Sequence, residues 1–234
     1  MKTIFKNRIF IIIMIVLTIF IVGCNPGEKK GSYNSENYYF FQTYEFKKEL
    51  TIDEAKTALD VATKYFSEAK SYSYNQKIVG YYDEEYTFEG ITKIDVTGET
   101  PKASLELVGS SENSFYIANN KAYFNYDGYK VVRDIEADFS NVSEVVQSVV
   151  GVHVSFTSEN ITSENLEYAG VDKHDATVIK FIAENQSTII IVIHDNKIMK
   201  VMMTTEDGKE FVADYNYEPV TVTLPADLDS YVSE

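Results

Sequence analysis

Few side chains in this sequence could carry chemistry. There is one cysteine, Cys24, and there are three histidines, His153, His174 and His194. The histidines are far apart, and His174-Asp175 and His194-Asp195 fall in predicted turns, which makes them surface residues. No H-E-x-x-H, C-x-x-C, phosphate-loop or G-x-S-x-G pattern occurs. Asp83-Glu84-Glu85 and the group Asp134, Glu136 and Asp138 could attract calcium, but neither has the ligand spacing of a calcium loop. Both read as solvated acidic turns. The sequence therefore predicts no catalytic residues, no metal site and no cofactor, and it points away from an enzyme.

Cys24 stands apart because of what precedes it. Met1 to Arg8 holds Lys2, Lys6 and Arg8 with no acidic residue, Ile9 to Val22 carries no charge, and Ile21-Val22-Gly23-Cys24 closes the stretch. This is the n-region, h-region and small-residue junction of a bacterial secretory signal. The uncharged run is shorter than the about 20 residues a membrane-spanning helix needs. Its last four residues resemble the lipobox of bacterial lipoproteins, whose cysteine is diacylglycerated on sulfur before cleavage. The resemblance implies that Cys24 is the lipid-attachment residue and that 1–23 is a lipoprotein signal peptide. The mature chain is then expected on the extracytoplasmic face of the cell membrane, lipid-anchored through diacylglycerol and palmitate-type acyl chains. Consumption of the thiol as a thioether also accounts for a lone cysteine in an exported chain, where an unpaired thiol is a liability.

Charge narrows the partners. Of the 21 basic residues, Lys2, Lys6 and Arg8 lie in the signal, and none of the 36 acidic ones does, which leaves 18 against 36, a net charge of −18. Such a chain does not bind nucleic acid, which needs basic patches. An anionic bilayer repels it too, so membrane contact must come from the lipid. Eighteen Tyr, fourteen Phe and no Trp, with abundant Val, Ile and Thr, make a β-rich composition.

The elements follow in order. Residues 24–50 read as a flexible tether, within which Tyr38-Tyr39-Phe40-Phe41 and Tyr44-Glu45-Phe46 form either an early strand or a segment packed on the domain, or an aromatic strip at the membrane interface. Thr51-Ile52-Asp53-Glu54 is a capping box, and Ala55, Ala58, Leu59, Ala62, Tyr65, Phe66 and Ala69 continue a helix to about Lys70. The period then falls to two. Tyr86, Phe88, Gly90, Thr92, Ile94 and Val96 share one strand face, and Asn119-Asn120 and Asp127-Gly128 make hairpin turns of a meander. Asn141-Val142-Ser143-Glu144 opens a short helix that Gly151 stops, and a strand is expected near Val152 to Phe156. Strands follow at Ala176–Ala183, at Thr188–Ile193 (apolar throughout, so buried on both faces), at Ile198–Thr205, at Phe211–Tyr217 and at Pro219–Pro225.

Three local stretches can be matched to a family: Asn165 to Gly170, Asp195 to Val201 and Asp214 to Pro225. Together with the order lipobox, tether, long helix, meander, short helix, meander, they resemble the LolA-like fold, and within it the LppX/LprG type of bacterial lipoprotein. The expected fold is α+β: a curved antiparallel half-barrel of about 10–11 strands, with a long N-terminal helix and a short mid-chain helix against its concave face, in one domain over 51–234. In that family the cup accepts acyl chains. The resemblance therefore implies a lipid or acyl-chain ligand, with Leu105, Leu107, Phe115, Ile117, Val145, Val146, Val149, Met199 and Met203 as candidate lining. The methionines are equally readable as ordinary core and surface residues, and the valines as plain helix packing. Two functions follow: a membrane-tethered carrier of a lipid-like ligand, or a non-enzymatic envelope interaction or sensor lipoprotein with a filled core and an envelope protein as partner.

Overall fold

The alternation that begins at Ser71 becomes one large sheet. A computed structural model describes residues 33–80, 87–98, 100–108, 113–135 and 157–233. The chain divides into two units, Met1–Ser32 and Tyr33–Glu234, and the described residues belong to the second. Its strands are β1 (Phe46–Glu49), β2 (Ser71–Val79), β3 (Thr87–Asp95), β4 (Lys102–Leu107), β5 (Ser114–Ala118), β6 (Lys121–Tyr126), β7 (Tyr129–Asp134), β8 (Leu166–Asp172), β9 (Thr177–Ile182), β10 (Thr188–His194), β11 (Lys197–Thr204), β12 (Glu210–Asn216) and β13 (Val232–Ser233). Across the sheet they run β1-β8-β9-β10-β11-β12-β2-β3-β4-β5-β6-β7-β13. Among the described residues the ladders are antiparallel except at β13, which pairs parallel to β7 through Val131 and Val132. The edges β1 and β13 do not meet, so the sheet is open and curved, consistent with a half-barrel.

Local chemistry sets the hairpins. Asn119 and Asn120 have φ of 52° and 60°, Asp127 and Gly128 48° and 80°, and Asp195 and Asn196 50° and 61°. Two consecutive left-handed residues match the right-handed twist of the flanking strands, which is why Asn and Asp-Gly occupy these sites.

The helix read from Thr51 is α1, Ile52–Glu68. Its capping box is complete: the Glu54 amide donates to Thr51 Oγ1 at 3.3 Å, and the Thr51 amide donates to Glu54 Oε2 at 2.9 Å. Lys48 Nζ adds a 2.6 Å contact to Glu54 Oε1. Lys48 and then the Thr51 bonds hold the Glu54 carboxyl down at about 2, from an ordinary 4.5. A depressed acid stabilises the folded state fully above its unfolded pKa, and that contribution is lost as pH falls through the folded value. The thermal midpoint of Glu54→Gln should therefore trail that of the parent chain at pH 7. The gap should close between about pH 4.5 and pH 2. A gap independent of pH would remove the charge from this account.

Both faces of β10 are buried from Ile189 to His194, as its uninterrupted apolar run predicts. On one face, hereafter the inner one, Ala55, Leu59 and Ala62 of α1 are fully buried against the strands. On the outer face the cover comes from residues expected to be tether. After a 3-10 turn at Ser35–Asn37, Tyr38 is buried on Ala176, Val178, Ile190, Val192 and Met202, and Phe40, Tyr44 and Phe46 pack around it. The packed domain thus begins near Tyr33, and β1 joins the sheet edge beside β8. The physical reason is the aromatic content of 33–46, which finds an apolar outer face to lie on. At the other half of the sheet Leu224, Leu228 and Tyr231 cover Ala118 and Tyr123 in the same way.

Three expectations change. Among the described residues the strands number 13 rather than 10–11, the additions including the short β13. Pro219–Pro225 forms no strand, because β12 is already paired on both sides, with β11 and β2. That segment is held instead by the Val220 amide donating to Ser71 Oγ at 2.9 Å. His194 is not a surface residue: it is buried at the end of β10, 6.1 Å from the Tyr33 ring, because the N-terminal segment covers it. The expected short helix near 141–150, the strand near 152–156 and Cys24 lie outside the described residues.

Candidate functional site

Register decides which side chains share the inner face. One cross-strand row runs Ile191, Val201, Ala213, Gln76, Gly90 through β10, β11, β12, β2 and β3. The row beside it runs Ile189, Met203, Phe211, Ile78, Phe88 through the same strands. A third runs Tyr215, Tyr74, Thr92, Leu105, Phe115, Phe124 from β12 to β6. The residues of these rows are apolar or aromatic, except for Gln76 and Thr92, and most belong to one core with α1. Phe66 of α1 stands edge-on to Tyr215 at 5.5 Å and lies 5.3 Å from Tyr72.

The rows are not sealed equally. Ile191, Val201 and Ala213 are at 0% exposure, whereas Ile189, Phe211 and Ile78 keep 8%, 6% and 8%. Met203 and Phe88 in that second row are half-buried. The third row keeps as little, with Tyr215, Tyr74, Leu105 and Phe115 at 9%, 7%, 8% and 5%, so the half-buried positions among these apolar residues are Met203 and Phe88 of the second row and Phe124 of the third. In the third row, burial pushes the Tyr74 hydroxyl up and the Tyr215 hydroxyl well up, so they stay protonated and neutral at ordinary pH. Such a surface can receive an apolar molecule; it offers no ionised group along these rows for proton transfer. Among the described residues no three metal-ligating side chains converge.

The expected lining residues separate. Leu105, Phe115 and Ile117 are buried in the inner core, and Leu107 is half-buried opposite Gly90. Met203 sits half-buried in the second row. Met199 does not join it: Val192 pairs with Lys200 and Ile193 with Ile198, which leaves Met199 as the extra residue of a bulge. Met202 points the other way, into the cluster around Tyr38. Val145, Val146 and Val149 lie outside the described residues. The sequence reading missed Ile78, Phe211 and Ile189. The signal was there in their alternation, but pairing register across strands over 100 residues apart is not written in one sequence.

No family model matches this chain. No curated protein matches it either. Solved structures do. The chain is similar to the Mycobacterium tuberculosis lipoprotein LppX, at 12% identity over 71% of this chain and 97% of that one, with a TM-score of 0.45. It is also similar to MucB, solved in complex with MucA, at 10% identity over 74% of this chain and 60% of MucB, with a TM-score of 0.41. A LolA superfamily protein from Nitrosomonas europaea matches at 9% identity over 74% of this chain and 96% of that one, with a TM-score of 0.31. LppX and the LolA superfamily are the types that the sequence resembles.

Proposed function

We propose that this chain is a membrane-anchored extracytoplasmic lipoprotein that binds or carries a lipid-like hydrophobic ligand on the inner face of its half-barrel. The observation that carries the reading is the apolar row Ile189, Met203, Phe211, Ile78 and Phe88, whose half-buried members Met203 and Phe88 pack on a continuous apolar core. Burial of apolar surface is what a hydrocarbon ligand would gain along this row. Anchoring rests on the lipobox resemblance at Cys24. With a body this acidic, the lipid is the hold on the membrane, and it keeps the domain beside the molecules it would load.

The test is native mass spectrometry of the chain expressed from Asn25 onward. Copurifying lipid is expected, and Met203→Arg, at a half-buried position of the row, should reduce it while the fold persists by circular dichroism. A consistently empty wild-type domain would end the carrier reading. One observation favours the second reading, an interaction lipoprotein with a filled core: Ala55, Leu59 and Ala62 already close part of the inner face completely. For that reading, crosslinking in intact cells would give one dominant envelope protein and no lipid.

A further inference from the structure

The N-terminal cover holds its aromatic rings in two ways. Tyr38, Phe40, Tyr44 and Phe46 pack toward the outer face of the sheet, whereas Tyr39 and Phe41 turn away from it, 57% and 86% exposed. Phe41 is the most exposed large apolar side chain among the described residues. Neither ring sits on loose chain. The Gln42 amide donates to the Tyr39 carbonyl at 3.3 Å and closes a turn, and the Tyr44 hydroxyl donates to the same carbonyl at 3.4 Å. Next to Tyr39, the Tyr38 hydroxyl bonds buried Asp172. Single exposed apolar residues are ordinary; two on one braced turn form a small patch. The run from Asn37 to Tyr44 is also free of charge, in a chain with 24% charged residues. The other exposed pair, Tyr126 and Tyr129, differs in this respect, because Asp127 lies between its rings and Lys130 follows.

Resting on the anchoring reading above, we propose that Tyr39 and Phe41 are a second membrane contact: they enter the interfacial layer of the bilayer that holds the Cys24 lipid, and so set which side of the domain faces it. A bilayer interface accepts aromatic rings and disfavours charge toward its interior. The turn offers the first without the second, and Glu36 and Glu45 bracket the uncharged run from outside. Reach supports the same occupant. From Cys24 to Tyr33, nine residues on, where the packed domain begins, the chain spans at most about 30 Å. The anchor therefore keeps the turn at high local concentration beside the bilayer, where a contact too weak to recruit a free domain is still populated. The lipid holds and the rings orient. Because the cover lies on the outer face, the contact uses no residue of the inner rows.

The chain has no tryptophan, so Phe41→Trp installs a single fluorescent reporter at an exposed position. The full-length chain is expressed in a bacterial host, its lipid is verified by intact mass, and the protein is reconstituted into phosphatidylcholine vesicles with plain or brominated acyl chains. The Phe41→Trp emission should move to shorter wavelength and lose most of its intensity to the brominated chains. Tyr126→Trp, at a position 70% exposed on the turn between β6 and β7, should keep its intensity and a water-like emission. An unquenched, water-like Phe41→Trp reporter in lipidated protein overturns the contact and leaves the anchoring reading intact. An emission that is shifted but not quenched means that a second copy covers the turn, and overturns it as well. Equal quenching of the two reporters overturns it too, since the domain then has no preferred side. Absence of the lipid from the intact mass overturns the anchoring reading and this contact together.

Discussion

Replacing Tyr38 by alanine is expected to destabilise the domain by about 3–5 kcal/mol, the range for truncating a large buried aromatic. Tyr38 is 1% exposed and stacks on Tyr33 at 5.6 Å and Tyr44 at 6.1 Å. Its hydroxyl donates to Asp172 Oδ2 at 2.9 Å. The other oxygen of that carboxylate accepts from the His174 amide at 2.8 Å and the Ala176 amide at 3.0 Å, which shapes the turn between β8 and β9. One side chain therefore fixes both the N-terminal cover and a hairpin. Tyr38→Phe separates the two roles: it keeps the ring and leaves buried Asp172 with one bond fewer, for about 1–3 kcal/mol. Urea midpoints would measure both. A Tyr38→Ala loss no larger than that of Tyr38→Phe would mean that the segment is only loosely laid on the sheet.

The second large effect is chemical. Under the proposed anchoring, Cys24→Ala should abolish fatty-acid incorporation and leave residues 1–23 attached, because the lipoprotein signal peptidase requires the modified cysteine. Cys24 is the only thiol in the chain, so no second sulfur can take the lipid. Cell fractionation is the wrong readout, since an uncleaved Ile9 to Val22 would still hold the chain at the bilayer. Metabolic labelling and intact mass are the right ones. Unchanged labelling in the variant would sink the lipobox reading.

What could be read from the sequence was what is local. The helix α1 was legible because Thr51, Glu54 and the three-to-four residue spacing of Ala55, Leu59 and Ala62 all act within one segment. The turns at Asn119-Asn120 and Asp127-Gly128 were legible because left-handed φ selects those residue types. The burial of Tyr38 was not, because its partner Asp172 lies 134 residues away. Met202 and Met203 look alike in sequence and face opposite sides of the sheet. That Gln76 stands in an otherwise apolar row depends on which residues of β12 and β3 stand opposite it, and only the register supplies that.

The seam between β2 and β12 has a kinetic consequence. Ile78 must wait for Phe211, and Tyr74 for Tyr215, before one edge of β2 has a partner. At the usual pace of synthesis, about 5–20 residues per second, that interval is on the order of ten seconds. Sheets dominated by such distant pairings fold slowly even once complete. A chain with this topology cannot complete its sheet before β12 has emerged, and an incomplete sheet leaves the chain more open to threading across a membrane. Under the proposed export, the same wiring that joins the two halves of the sheet would delay its completion until the chain has reached the far side.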